Sequence, residues 1–211
     1  MPRPSRIRPR SYRARQRNMV SPISTIRMLM AAALLTTVST ESRSAASVPY
    51  ELRGAILLRS IGYESGFASR AGTAVLAIVG AESGASAEDA SAMAAVLSRL
   101  AAKTTVAKRP ASVLRVTYSG RAQLQEALRA AGAEVVYVAR GLAAAIPDIP
   151  SREGAVVRIV VCGDGDDTKR GCAVAVGLSG AKPELLLNVK HANAIGLRFD
   201  PQLLRLARIV E

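Results

Sequence analysis

The sequence predicts an α/β three-layer sandwich: a mostly parallel sheet with an antiparallel C-terminal hairpin, closed by two short C-terminal helices. Three observations predict it. Apolar runs of strand length alternate with amphipathic stretches of helical length between residues 73 and 162, a pattern that right-handed crossovers turn into a parallel sheet. Beyond Cys162, "CAVAVGL" (172–178) and "PELLLNV" (183–189) are two β-prone runs joined by "SGAK", which predicts a hairpin. The closing stretch "NVKHANAIGLRFDPQLLRLARIV" (188–210) carries two sets of helix start and stop signals.

The elements follow in order. "VPYELRGAILLRSIGY" (48–63) places Leu52, Ala55, Ile56 and Ile61 at roughly helical spacing. Leu57 and Leu58 on the same segment suit either a core or a homodimer surface. Thr73–Gly80, "TAVLAIVG", is a continuous apolar run bounded by glycine, which suits a strand covered on both faces. In the next helix Ser86 and Asp89 resemble a capping box with Asp in place of Glu. Met93, Leu97 and Leu100 line one face of it. The unit then repeats. Ser112–Tyr118 reads as a strand, Ser119 as a cap, and "GRAQLQEALRAAG" (120–132) as a helix with Leu124, Leu128 and Ala131 inward and Gly132 as its stop. A third strand is expected over Ala133–Ala139, a short helix over "GLAAAI" ending before Pro147, and a fourth strand over Ala155–Cys162.

At the C-terminal end, Val189, Ala192 and Ile195 share one side of a short helix that stops at Gly196. Asp200 can cap a second helix, with Pro201 at its first position. At about 100° per residue, Leu203, Leu204, Leu206, Ala207 and Val210 share a wide face opposite Gln202, Arg205 and Arg208. Ile209 falls among the polar residues. Two capped helices of about two turns are poor membrane anchors, and two arginines are a thin footprint for a nucleic acid. This segment is therefore expected to pack against the sheet, without stable membrane insertion.

The chain has 211 residues and a formal net charge of +13. The charge is not spread evenly. Residues 1–46 hold nine arginines against Glu41 alone, leaving +8; the other 165 residues hold 20 bases and 15 acids, leaving +5. The N-terminal excess reads as part of an export leader. A basic region runs to Arg27, an uncharged apolar stretch spans Met28–Val38, and Ser44-Ala45-Ala46 supplies small residues for cleavage between Ala46 and Ser47. The apolar stretch is shorter than the ~20 residues a membrane-spanning helix needs. No Arg-Arg pair marks the twin-arginine route. Met19 is an alternative start. A basic arm on nucleic acid is the competing explanation, and the uncharged run after Arg27 argues against it. Aromatic residues make up only 3% of the chain, with no Trp, so base-stacking platforms are scarce as well. No nucleic-acid partner is expected. Residues 47–211 form one domain of ordinary size.

The two cysteines, Cys162 and Cys172, stand ten residues apart. In an exported chain such a pair suggests a disulfide; two free thiols or a redox pair are the alternatives. The spacing is not C-x-x-C, and no His or further Cys lies nearby for a metal site. Between the cysteines, Asp164, Asp166 and Asp167 form the most charged short loop. Thr168, Lys169 and the missing distal Glu break the calcium-loop pattern, so an exposed turn is expected and no metal is assigned. His191, the single histidine, is expected to face solvent, and no G-x-S-x-G elbow accompanies it. No catalytic residue and no cofactor are assigned. Val79–Ser86, "VGAESGAS", leads from a strand to a helix start without either phosphate-loop fingerprint. Loops at the carboxyl ends of parallel strands remain the place where a small molecule would dock, which keeps a ligand-binding sensor module as the alternative function.

One family resemblance is carried mainly by "LLLNVKHANAIGLRFDPQLLRLARIV": a strand leading into Asn, a short helix stopping at Gly-Leu, then a capped helix. Together with "VPYELRGAILLRSI", "VLAIVG", "AEVVYVARGL" and "RGCAVAVGL" in that order, it resembles the YfiR/HmsC-like family of exported bacterial proteins across 47–211. Gly171-Cys172 stands where the family commonly has Gly-Gly, and the first helix is less aromatic than in many members. The resemblance implies a periplasmic, non-enzymatic regulator that binds and represses an inner-membrane diguanylate cyclase or similar sensor. Such a regulator releases its partner under envelope or redox stress and so changes cyclic-di-GMP and biofilm output. It also implies a disulfide near the hairpin, where Cys162 and Cys172 fall.

Overall fold

A computed structural model describes residues 47–151 and 156–211. The leader and Ala46 lie outside the described residues; Ser47 is the first residue within them.

Seven strands form one sheet in the order β2-β1-β3-β4-β5-β6-β7. They are β1 Ala74–Gly80, β2 Ala111–Thr117, β3 Val135–Val138, β4 Ile159–Cys162, β5 Val174–Ser179, β6 Lys182–Asn188 and β7 Arg208–Val210. The first five run parallel, with β1 at the centre of the β2-β1-β3 crossover. The β5–β6 pair is the antiparallel hairpin, with Ser179 opposite Lys182. The predicted three-layer sandwich with its C-terminal hairpin is the observed fold.

Strand alternation divides the core in two. On one face Leu76, Ile78, Val135, Tyr137, Ile159, Val161, Val174 and Leu187 pack under α1 (Tyr50–Ile61), α2 (Ala85–Ala101), α4 (Val189–Ala194) and α5 (Pro201–Leu206). On the other face Ala77, Val79, Val136, Val138, Val160, Cys162 and Leu186 pack under α3 (Arg121–Ala131) and the 3-10 segment Ala143–Asp148. Both faces are covered, so the central strands read as unbroken apolar runs.

Several local expectations are corrected. In α1 the inner face is Arg53, Gly54, Leu57, Leu58 and Ile61, while Leu52 and Ala55 face water. Leu57 and Leu58 are therefore core and offer no dimer surface. Gly54 makes this crossing possible: a Cβ there would lie 2.8 Å from Val96 Cγ1 of α2. Helix α2 starts at Ala85 without a side-chain cap. Ser86 instead accepts a hydrogen bond from the Ala81 amide at 3.3 Å, and Asp89 turns into the core. Ser119 does not cap α3, whose N-cap is Gly120. Gly132 does end α3, in the left-handed conformation. The short helix after β3 is a 3-10 segment that takes Pro147 inside it. Asp148 then ties it to α3, accepting from Tyr118 and Arg121 at 2.7 Å each.

The tail behaves partly as expected. Asn188 caps α4, accepting from the His191 amide at 2.8 Å, and its Nδ2 donates to Thr168 O at 3.1 Å. Gly196 has φ +78°, and the Gly196 and Leu197 amides bond back to Asn193 and Ala192, closing the helix as a Schellman motif. Asp200 caps α5 at 2.7 Å, with Pro201 at its start. The helix does not continue to Val210, however. Ala207 is extended, and Arg208–Val210 pairs parallel to β6 as a seventh strand. The helical face projected from the sequence breaks there: Leu203 is buried, but Leu206 is 72% exposed.

Candidate functional site

The carboxyl ends of β1 and β3 mark the point where the chain winds away to opposite sides of the sheet, the usual place for a site in such a fold. Gly80 lets α2 begin directly above β1, because a Cβ there would clash with Ala90 and lie 3.1 Å from Ser86 O. That close approach sets Asp89, 2% exposed, over the end of β3.

Asp89 is the centre of a buried polar cluster. Its Oδ1 accepts from Arg140 Nε at 2.6 Å and from Arg53 Nη1 at 3.3 Å. Its Oδ2 accepts from the Tyr137 hydroxyl at 2.8 Å and from the Arg140 amide at 3.1 Å. Arg140 Nη2 donates to the Tyr50 hydroxyl at 2.8 Å, and both guanidinium groups lie near the Tyr50 ring, at 5.3 and 5.6 Å. Arg53, itself 2% exposed, also donates to Tyr137 Oη and Val48 O at 3.3 Å. Its Nε is buried without a partner.

Burial alone would raise the Asp89 pKa, but hydrogen bonds from Arg140 and Tyr137 outweigh it and hold the carboxyl below the ordinary range. The Tyr137 hydroxyl is pushed strongly up, by burial first and then by the Asp89 charge. The cluster therefore keeps Asp89 ionised and Tyr137 protonated near neutral pH.

Arg53 and Arg140 also line an open cleft of about 720 Å³, together with Gly163, Lys169, Val176 and Leu186. Gly163 must be glycine for this geometry. A Cβ would lie 2.5 Å from the Tyr137 hydroxyl and 2.9 Å from the Arg140 amide.

Cys162 ends β4 and is joined to Cys172, just before β5, with their Cα atoms 5.8 Å apart. The intervening loop is not simply an exposed turn. It forms a 3-10 segment, Asp166–Arg170, with Asp167 and Thr168 buried. Burial raises the Asp167 pKa, and the Asp164 charge adds to the effect. The three aspartates do not converge: Asp164 accepts from the Asp166 amide at 3.0 Å, while Asp167 pairs with Arg170 at 3.2 Å. Among the described residues no group of three or more His, Cys, Asp or Glu could hold a metal. His191 is half-buried, not solvent-facing. Its Nε2 is buried without a partner, and burial lowers its pKa. Nothing in the described hydrogen bonds makes it part of a nucleophile–base pair.

Arg53, Tyr137 and Arg140 belong to no local sequence motif, and the spacing of Ser86 and Asp89 is that of a capping box. The cluster's side-chain partners lie 36 to 90 residues apart, beyond any local pattern. The available signal was Tyr137 itself, a polar-tipped residue in an otherwise all-valine strand.

A family model described as YfiR/HmsC-like matches residues 50–208. The chain belongs to that family. No curated protein matches it. Among solved structures, the ABC domain in complex with L-Trp from Streptococcus pneumonia is similar at TM-score 0.54 and 10% identity, over 77% of this chain and 62% of that one. A conserved domain protein from Vibrio cholerae is similar at TM-score 0.49 and 16% identity, over 77% of this chain and 60% of that one. The chain thus spans less than two thirds of either protein, and the first likeness is one of fold.

Proposed function

We propose that residues 1–46 form an export leader cleaved between Ala46 and Ser47. Residues 47–211 then act in the periplasm as a non-enzymatic regulator that binds and represses an inner-membrane diguanylate cyclase. Membership of the YfiR/HmsC-like family over 50–208 carries this proposal. A further observation supports it: a Cys162–Cys172 bridge suits an oxidising compartment. Among the described residues no helix is long and apolar enough to cross a membrane.

Deleting the gene and measuring cellular cyclic-di-GMP tests it, together with affinity capture from detergent-solubilised inner membrane. The expected result is a rise in cyclic-di-GMP and recovery of a membrane protein with a cyclase output domain. An unchanged level, with no such protein captured, would contradict the proposal.

A further inference from the structure

The Asp89 cluster carries an imbalance of charge. Two guanidinium groups, Arg53 and Arg140, share one carboxylate whose two oxygens already take four donors. Of the five N–H groups on a guanidinium, Arg53 commits three, all at 3.3 Å, which leaves Nε and one Nη2 hydrogen free. A buried cation with unused donors is costly unless a negative group completes it. Asp164, Asp166 and Glu211 line the same cleft, as do the further bases Lys169 and Arg208, but none of the three acids forms an ion pair with Arg53 or Arg140 among the described residues. Apolar side chains, Val176, Leu178 and Leu186, contribute to the walls.

We infer that this cleft binds a small organic anion, its carboxylate or phosphate head on Arg53 and Arg140 and its apolar body against the Val176–Leu186 wall. Planar guanidinium groups suit either head, since both offer paired oxygens. This site is independent of the regulator proposal and holds whatever the membrane partner is.

Isothermal titration of the full chain at fixed ionic strength tests it, with 3-phenylpropionate, phenyl phosphate and the neutral 3-phenylpropionamide as probes. The expected result is saturable one-site binding of at least one anion, with the amide weaker by about tenfold or more. Which anion binds separates a carboxylate from a phosphate ligand. Arg53→Gln should weaken binding by a similar factor. Arg140→Gln, on a side chain partly in water, provides the same test should Arg53→Gln not fold. The absence of saturable anion binding, equal binding of the amide, or undiminished binding by whichever variants fold would overturn the inference.

Discussion

At the scale of single residues, Asp89 decides most. Its carboxylate is buried between two cations, so replacing it leaves both without their counter-charge. Asp89→Ala should cost about 3–5 kcal/mol in denaturant unfolding. The pH dependence follows from the direction of its shift. The folded carboxyl titrates below the ordinary value of about 3.9, so its stabilisation is complete above that value and is lost as pH falls through the lower folded one. Between about pH 5 and pH 2, Asp89→Asn should therefore lose less stability than the parent chain; equal slopes would deny Asp89 this role. Gly163→Ala tests the neighbouring geometry. The added methyl would push on the Tyr137 hydroxyl and the Arg140 amide and should cost about 1–3 kcal/mol. A second buried pair, Arg109 with Glu134 at 2.6 and 2.9 Å, pins the loop before β1 through Arg109 hydrogen bonds to Phe67 O and Gly72 O. None of these pairings was legible in the sequence. Ser86-x-x-Asp89 satisfies the spacing of a capping box, and only tertiary packing shows that both side chains are used elsewhere.

At the scale of elements, more was legible. Strand and helix order, the hairpin turn, the Gly132 and Gly196 stops and the Asp200 cap all follow from local chemistry that tertiary structure does not override. Two misreadings share a different cause. The phase of α1 is set by Gly54 fitting against Val96, a contact with another helix. The end of α5 is set by the open edge of β6, which Arg208–Val210 joins instead of adding a helical turn. Leu203 and Leu206 separate these outcomes. Leu203→Ala should cost about 2–4 kcal/mol through the cavity it leaves. Leu206→Ala should stay within about 0.5 kcal/mol because its side chain is in water. A single helical face continuing to Val210 would make the two substitutions similar. The disulfide closes the loop between β4 and β5. Replacing Cys162 and Cys172 together by Ala should lower stability by about 2–3 kcal/mol on the loop-entropy account, measured by thermal unfolding in oxidising buffer.

At the scale of the whole molecule, the composition was informative about where charge lies. The basic excess is concentrated in the first 46 residues, and the tail arginines Arg205 and Arg208 sit on the exposed side of the fold. Arg208 pairs with Glu184 of β6 at 2.9 Å, an ion pair between neighbouring strands. The family resemblance was legible because it rests on the tail, where Asn188, Gly196 and Asp200 each have a backbone task that other residues perform poorly. The cleft was not legible, because its walls come from α1, the loop after β3, the bridged loop, the hairpin and the C-terminal strand with Glu211, elements that meet only in three dimensions.

Export is the premise on which a periplasmic regulator depends, and fractionation of expressing cells followed by mass spectrometry of the intact protein measures it most directly. The account predicts a periplasmic species beginning at Ser47 and lighter by two hydrogens than the reduced chain, because Cys162 and Cys172 are joined. A cytoplasmic species beginning at Met1 or Met19 with both thiols free would contradict it.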